Sequence, residues 1–308
     1  MTSPSARDDC DVSVIIVNWN NAGDLAECLG CLRRQSWRDF EIIVVDNGST
    51  DQTASIVAPF AACGLVRFIS APHQQGPAAA RNAGLDQACG RLVLFTGDDM
   101  IAPPDLLRTH VEAHQAHPEP EAAIVGDVRW FPTLQVTPLM HWLDHGGPYY
   151  HFYDLADGAL IDHRYFVTAN LSLKRAFVGA DRFDQDFRWA AFEDMELGYR
   201  LMRRGLRLIF RSIPIFHLHP VTSEDLLRRM EYAGRAARLL ERKWPNITGL
   251  ENIQRPRLHF VLRHRRLSEV LDSCLRWAAE QLGDRTPLAV YRYLIRYARW
   301  CGYVSQVE

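Results

Sequence analysis

The sequence predicts an α/β fold: a mostly parallel, Rossmann-like sheet flanked by helices, with a helical extension at the C-terminus. Three observations carry this. Residues 12–17, 41–45, 66–69 and 91–95 are short apolar runs that alternate with helical patterns, the β-α-β rhythm of a parallel sheet covered on both sides. The runs are continuous and rich in Val and Ile instead of alternating with polar residues, as in strands buried on both faces. From Ser223 onward the apolar residues fall at helical spacing.

The elements follow in order. Residues 12–17 form the first strand, and 24–35 a helix through Leu25, Cys28, Leu29 and Leu32. Cys28 and Cys31 make a CxxC inside that helix; with no second pair to complete a metal or redox motif, they read as packing residues. Residues 41–45 are the second strand. A helix over 51–62 has Ser49 or Thr50 as its cap. After a strand at 66–69, a helix over 77–88 starts with Pro77 in its first turn, and 91–95 is again a strand. Beyond Asp99, 104–117 is helical and 122–128 extended. Residues 131–162 are aromatic, His-rich and irregular, long for a connection within a compact domain. Residues 165–173 are extended, 193–204 helical up to Gly205, and 206–216 extended into His217-Leu218-His219. The long helix from Ser223 carries Leu226, Met230, Ala233, Ala237, Leu240 and Trp244 on one face and stops at Pro245. Helices at 258–282 and 287–300 complete the chain. The division is thus 1–222 for the α/β domain and 223–308 for the helical region.

The chain has 308 residues, 47% hydrophobic and 23% charged, an ordinary globular composition. A net charge of −2 argues against nucleic acid as a partner. The charge is uneven: 253–308 hold ten Arg against five acids, a net of +5, which leaves −7 for the rest. Such a tail is either a solvated face or a surface that meets anionic lipid or acceptor. No run reaches the roughly 18–20 apolar residues of a membrane span, and 1–11 lack the basic and apolar regions of a signal peptide. Seven Cys without paired spacing fit a reducing compartment. The expected location is the cytoplasm, with the inner face of the membrane as the peripheral alternative.

Chemistry concentrates at three acidic stops. Asp46 ends the second buried strand, where ligands of open α/β sheets bind. Asn47-Gly48-Ser49-Thr50 after it reads as a turn, so Asp46 is either a turn residue or an acceptor for the imide N–H of a pyrimidine. Gly76 opens a helix of small residues, Pro77-Ala78-Ala79-Ala80-Arg81; the helix start can hold anions and Arg81 can reach a nucleotide, although small residues also serve close packing. Asp98-Asp99 follows a strand, and two adjacent carboxylates there repel unless a hard cation, Mg²⁺ or Mn²⁺, joins them to a diphosphate. Glu193-Asp194 opens a later helix, where the pair is either favourable charge at a helix start or one carboxylate to take a proton from a hydroxyl and one to hold the helix end. His217 and His219 alternate on a strand, so only one faces the site; that one, His217 by preference, is either a core residue, a further metal ligand or a phosphate partner.

Taken in order, these pieces resemble the inverting glycosyltransferases of family 2, with the GT-A fold. Val12-Ser13-Val14-Ile15-Ile16-Val17-Asn18-Trp19-Asn20 is similar to the family's opening strand and nucleotide turn. The likeness implies nucleotide contacts from Val17, Asn18, Trp19 and Asn20, with the Trp19 ring stacked on the base. Asp46 matches the base-recognising Asp, and Ala80-Arg81-Asn82-Ala83-Gly84 the family's ARNxG segment. Thr96-Gly97-Asp98-Asp99 stands where DxD belongs, with Gly97 in place of its first Asp; the ribose contact is then lost or passes to Asp98, and Asp99 holds the metal. Thr168-Ala169-Asn170-Leu171-Ser172 resembles a loop near the donor sugar, and Asp194 of Glu193-Asp194 matches the base.

The resemblance implies a metal-dependent, inverting transfer of a sugar from a UDP-, dTDP- or GDP-sugar to an acceptor hydroxyl, in glycan, polysaccharide or glycoconjugate synthesis. Residues 1–100 would bind the nucleotide and 101–222 would carry acceptor and catalysis. The acceptor is a sugar, a lipid-linked glycan or a small molecule. Trp130, Phe131, Trp142, Tyr149, Tyr150, Phe152 and Tyr153 form either its platform or a core beneath a long loop. The aromatic and basic tail (Tyr291, Arg292, Tyr293, Arg296, Tyr297, Arg299, Trp300, Tyr303) suits a membrane interface, a homodimer contact or internal packing. The rival readings are a sugar-phosphate nucleotidyltransferase and a non-catalytic nucleotide-sugar-binding protein.

Overall fold

The computed structural model describes residues 10–145, 152, 154–250 and 265–305. In chain order the elements are β1 (Cys10–Asn18), α1 (Ala22–Leu32), β2 (Phe40–Asp46), α2 (Thr53–Ala62), β3 (Val66–Ser70), α3 (Pro77–Gln87), β4 (Gly90–Gly97), β5 (Met100–Ile101), α4 (Leu106–Ala116), β6 (Ala122–Trp130), α5 (Pro138–His145), β7 (Leu160–Ile161), β8 (Asn170–Lys174), α6 (Arg175–Val178), α7 (Glu193–Arg203), β9 (Arg207–His217), α8 (Ser223–Lys243), α9 (Arg265–Leu282) and α10 (Leu288–Val304). The chain forms two compact units, one of 1–134, 152–188 and 193–219, the other of 135–151, 189–192 and 220–308.

The first unit holds the sheet, in the order β3-β2-β1-β4-β8-β6-β9-β5, with β7 beside β9. β3, β2, β1 and β4 run parallel, as do β6 and β9; β8 is antiparallel to both β4 and β6. The sheet is therefore mostly parallel, with helices around it. Ile15, Ile16, Ile42 and Ile43 are fully buried, each worth roughly 1.5–3 kcal/mol over an exposed side chain. That is why these runs carry no alternation.

Several sequence expectations are corrected. The start of α2 is satisfied by neither Ser49 nor Thr50: Asp51 Oδ1 accepts from the Thr53 N–H (3.1 Å), and its Oδ2 from the Ala22 N–H (2.9 Å). One carboxylate thus serves two helix starts, and the Thr53 hydroxyl, which also donates to Oδ1, together with these two N–H groups holds it below the usual carboxylate range. Residues 131–162 are not wholly irregular, since they contain α5 and β7. Of 165–173 only 170–173 are strand, the first four residues of Asn170–Lys174; a 3₁₀ turn, His163–Tyr165, lies ahead of it, with Asp162 accepting from the Arg164 N–H. Residues 258–264 lie outside the described residues.

The second unit is helical. Leu139 and Leu143 of α5 join Leu226, Leu227 and Met230 of α8, Ala279 of α9, and Tyr291, Leu294, Ile295 and Ala298 of α10 in one core. α8 begins at a Thr222 cap whose hydroxyl accepts from the Asp225 N–H (3.1 Å). α8 and α10 meet backbone to backbone. A Cβ on Gly234 would lie 1.9 Å from the Arg299 carbonyl, and one on Gly302 1.9 Å from the Glu231 carbonyl. The tail aromatics serve this packing: Tyr291 and Tyr297 are buried, and Tyr297 stacks on Tyr293. No described helix is long and apolar enough to cross a membrane.

Candidate active site

The parallel register lines up the carboxyl ends of β1, β2 and β4. Asn18 pairs with Asp46, and Val17 with Val45 and Gly97. At that edge Asn18 is buried. Its amide oriented for donation puts nitrogen on Asp98 Oδ2 (2.9 Å), and oxygen on the Trp19 N–H (3.2 Å) and the Thr53 hydroxyl (2.9 Å). Trp19 comes next and is half exposed. Asn20 takes a left-handed backbone (φ 52°), and its side chain accepts from the Thr50 N–H (2.8 Å), which ties the loop after β1 to the loop after β2. Asp46 is buried, accepting from the Ser49 N–H (3.0 Å) and the Ser70 hydroxyl (3.2 Å). These contacts hold the turn after β2 and leave a lone pair on each Asp46 oxygen.

The acidic pair sits where β4 passes into β5. β5 pairs with the end of β9, Met100 opposite His217, and this brings His217 Nε2 to 3.1 Å from Asp99 Oδ2. His217 Nδ1 faces the His219 carbonyl at 2.9 Å. His219 itself points outward, with Nε2 2.6 Å from Asp24 Oδ1. Burial, the Asp99 charge and Asp24 push Asp98 up to about 8, against a hydrogen bond from Asn21. Gly97 explains how Asp99 fits. A Cβ at 97 would stand 2.7 Å from Asp99 Oδ1, so the Asp99 carboxylate occupies room that a side chain on 97 would need.

These residues fit a divalent cation. Asp98 holds a proton near neutrality because burial, and after it the charges of Asp99 and Asp24, disfavour its ionised form, and a cation offsets both causes. The paired donors are the Asp99 carboxylate and the His217 imidazole, 3.1 Å apart, with the Asp98 carboxylate next in the chain, a set that suits Mn²⁺ at least as well as Mg²⁺.

The second acidic pair opens α7, just after Phe192, whose backbone turns left-handed (φ 65°). Glu193 is buried, with Oε1 2.7 Å from Arg81 Nη1 and Oε2 without a hydrogen-bond partner among the described residues. Burial raises it to about 7 in spite of Arg81. Asp194 keeps part of its surface exposed. It accepts from the Met195 N–H (2.8 Å) and, at 3.4 Å, from the Thr168 N–H. Burial raises it too, and Arg81 counters.

Two expectations change here. Arg81 is turned to Glu193 and lies over the Phe183 ring, 5.5 Å from its centroid, because a buried carboxylate needs its cation. Asn170 does not face the cleft: it is fully buried, accepts from His110 Nε2 (2.9 Å) and donates to the Ile213 and Asp127 carbonyls (2.8 and 3.2 Å). Gly126 makes room for it, as a Cβ there would lie 2.2 Å from Asn170 Nδ2. Gly76 is buried with φ 91°, and a Cβ on it would be 2.8 Å from the Arg188 carbonyl; glycine is needed for that approach. Phe152 packs against Phe210 as core, and Trp130 meets the His217 ring edge-on. Tyr149, Tyr150 and Tyr153 lie outside the described residues. Sequence reasoning missed Asp24 and Asn21 beside Asp98, Ser70 on Asp46, and the buried ladder His110, Ser172, His114. Burial lowers His110 to about 4 and His114 to about 3, so both are neutral. Their i, i+4 spacing on α4 was the available signal.

Arg81→Met tests the second pair. Breaking a buried ion pair costs roughly 3–5 kcal/mol when the orphan keeps its charge. Glu193, already at about 7, takes up a proton instead. Without the guanidinium both acids ionise at higher pH, so activity that needs an ionised Asp194 falls at neutral pH and returns as pH rises. The acidic limb of kcat against pH moves upward; an unmoved limb rejects the link.

Residues 13–154 match the model of "Glycosyl transferase family 2". Validoxylamine A glucosyltransferase of Streptomyces hygroscopicus subsp. jinggangensis is 29% identical over 220 residues, 63% of this chain and 52% of the relative. A PGL/p-HBAD biosynthesis glycosyltransferase of Mycobacterium bovis is 40% identical over 118 residues, 38% of this chain and 46% of its own. The chain spans about half the length of these relatives. Among solved structures, the mannosyltransferase PcManGT of Pyrobaculum calidifontis, in complex with GDP-Man and Mn²⁺, superposes with a TM-score of 0.63 at 20% identity, over 97% of this chain and 88% of that one. Residues 1–349 of S. aureus TarS with UDP give 0.56 at 17%, over 95% and 89%. At such identity the likeness speaks for the fold.

Proposed function

We propose that the chain, whose residues 13–154 match the family 2 glycosyltransferase model and whose fold is GT-A, transfers a sugar from a nucleotide-diphosphate sugar to an acceptor hydroxyl, with inversion and with a divalent cation. The observation that carries the reading is the meeting of Asp99 with His217 at the carboxyl edge of the sheet, beside Asp98, whose carboxylate faces Asn18, and near Asp46. Asp99 and His217, with Asp98 beside them, would hold Mn²⁺ in preference to Mg²⁺, because an imidazole suits the softer ion. The cation supplies charge stabilisation for the departing diphosphate. That relatives bear glycosyltransferase names, and that PcManGT and TarS were solved with GDP-Man, Mn²⁺ and UDP, supports this donor class.

The chain's own residues divide the remaining work. Trp19 offers an exposed ring for the base, and Asp46 a fixed acceptor for its imide N–H. Residues 1–100 form the nucleotide half and 101–222 the catalytic half. Asp194, partly exposed at the start of α7, takes the acceptor proton. As it does so the acceptor oxygen bonds to the anomeric carbon from the face opposite the diphosphate. The old C–O bond breaks, and the diphosphate leaves with its electrons. Glu193 is too buried to touch an acceptor; with Arg81 it positions Asp194.

A thermal-shift panel of UDP-, dTDP- and GDP-sugars, with Mn²⁺, Mg²⁺ or EDTA, tests the reading. One donor raises Tm with Mn²⁺ and not with EDTA. NMR of the product then shows the inverted anomer. A panel with no metal-dependent shift, or a retained anomer, rejects it.

A further inference from the structure

The opposite edge of the same sheet holds a second cluster. Cys10 is the first residue of β1, Glu41 the second of β2, and Cys89 immediately precedes β4. Since β2, β1 and β4 are parallel neighbours, their starts converge, far from the acidic edge. The sulfurs of Cys10 and Cys89 are 3.5 Å apart, and Cys89 Sγ is 3.0 Å from Glu41 Oε1. All three donor atoms lie within 4.8 Å of one another.

We propose that Cys10, Cys89 and Glu41 form a site for a thiophilic divalent cation of the zinc class, with water completing the shell. The spacing is close to what such an ion imposes. Two thiolates at about 2.3 Å from a tetrahedral centre stand ~3.8 Å apart, and a thiolate and a carboxylate oxygen at about 2.0 Å stand ~3.5 Å apart. A disulfide would bring the sulfurs to about 2.05 Å, much further from the arrangement seen. The carboxylate is also oriented in advance by groups that would lie outside the metal's first shell. Ser13, fully buried, donates to Glu41 Oε1 (2.7 Å) and accepts from the Gly90 N–H (2.8 Å). The Cys89 N–H donates to Oε1 (2.9 Å), and Arg67 reaches Oε2 at 3.3 Å. Gly90 allows this closeness, as a Cβ there would lie 2.4 Å from the Ser13 nitrogen.

Charge agrees. Two thiolates, one carboxylate, one divalent cation and Arg67 sum to zero. Without the cation the thiols stay protonated: burial raises both, and Glu41 helps push Cys89 up to about 12. Binding therefore releases both thiol protons to solvent. Cys89 is partly exposed and the Glu41 side chain keeps 11% of its surface, so the cluster has an opening to water.

The test uses the full chain, reduced and stripped with EDTA, and Cd²⁺ as probe. A thiolate-to-cadmium charge-transfer band grows and saturates at a single equivalent. Cys10→Ser and Cys89→Ser each remove half of the band or more. Glu41→Gln weakens Cd²⁺ binding roughly tenfold or more. Asp99→Ala leaves the band unaltered, which separates this site from the donor site. A band that survives with both cysteines changed belongs to others, such as exposed Cys63 or Cys274, and overturns the proposal. So does the absence of a saturable band, or a Cys10–Cys89 disulfide in the chain purified without reductant. Because serine at the head of β1 can weaken folding, a second measurement needs no variant. In the unaltered chain Zn²⁺ slows alkylation of Cys10 and Cys89, located by mass spectrometry, relative to Cys63; equal rates with and without Zn²⁺ also overturn it.

Discussion

Asp194→Asn lowers turnover by roughly 10²–10⁴ and leaves donor affinity unchanged. The amide keeps the shape of the carboxylate and an oxygen for the Met195 N–H that Asp194 holds at 2.8 Å, so the helix start survives. What it loses is basicity. The neighbouring acid cannot substitute, since Glu193 is buried against Arg81. Single-turnover kinetics on saturating donor separate the two quantities. Turnover near that of the unaltered chain would sink the role given to Asp194, and a parallel fall in donor affinity would mean that the pair holds the donor instead.

Asp99→Ala abolishes the Mn²⁺-dependent part of donor binding and costs on the order of 10³ in kcat/KM, the several kcal/mol that a Lewis acid supplies to a leaving diphosphate. His217 Nε2, 3.1 Å from the carboxylate, loses its partner and is a poor ligand alone. The sign of a secondary effect is also set. Asp99 is one of the causes that push Asp98 to about 8, so in the variant Asp98 ionises at lower pH. Calorimetry of nucleotide diphosphate binding with and without Mn²⁺ reads the loss. Binding that keeps its metal dependence in the variant removes Asp99 from the proposed ligand set.

The parallel half of the sheet was legible because its strands have the simplest pattern available: 12–17 and 41–45 are apolar throughout, and only burial on both faces tolerates that. The acidic stops were legible for the same reason, as a carboxylate at the end of such a run has one edge to point from. The antiparallel β8 was not, because a five-residue strand placed between two distant partners leaves no local signal of direction. Asn170 shows the limit at the site. A loop motif places it beside the donor, yet its amide is consumed by His110 and two carbonyls, contacts 43 to 60 residues apart in sequence that no spacing reveals. Arg81 met the same fate through Glu193, 112 residues away.

The glycine contact between α8 and α10 bears on how the tail can be handled. Two helices whose main chains touch at Gly234 and Gly302 have no slack for a methyl group at either point, and α10 covers Leu226, Leu227 and Met230 of α8. The last helix is thus a lid on apolar surface of its own unit, and a chain trimmed ahead of Leu288 would carry that surface bare into water.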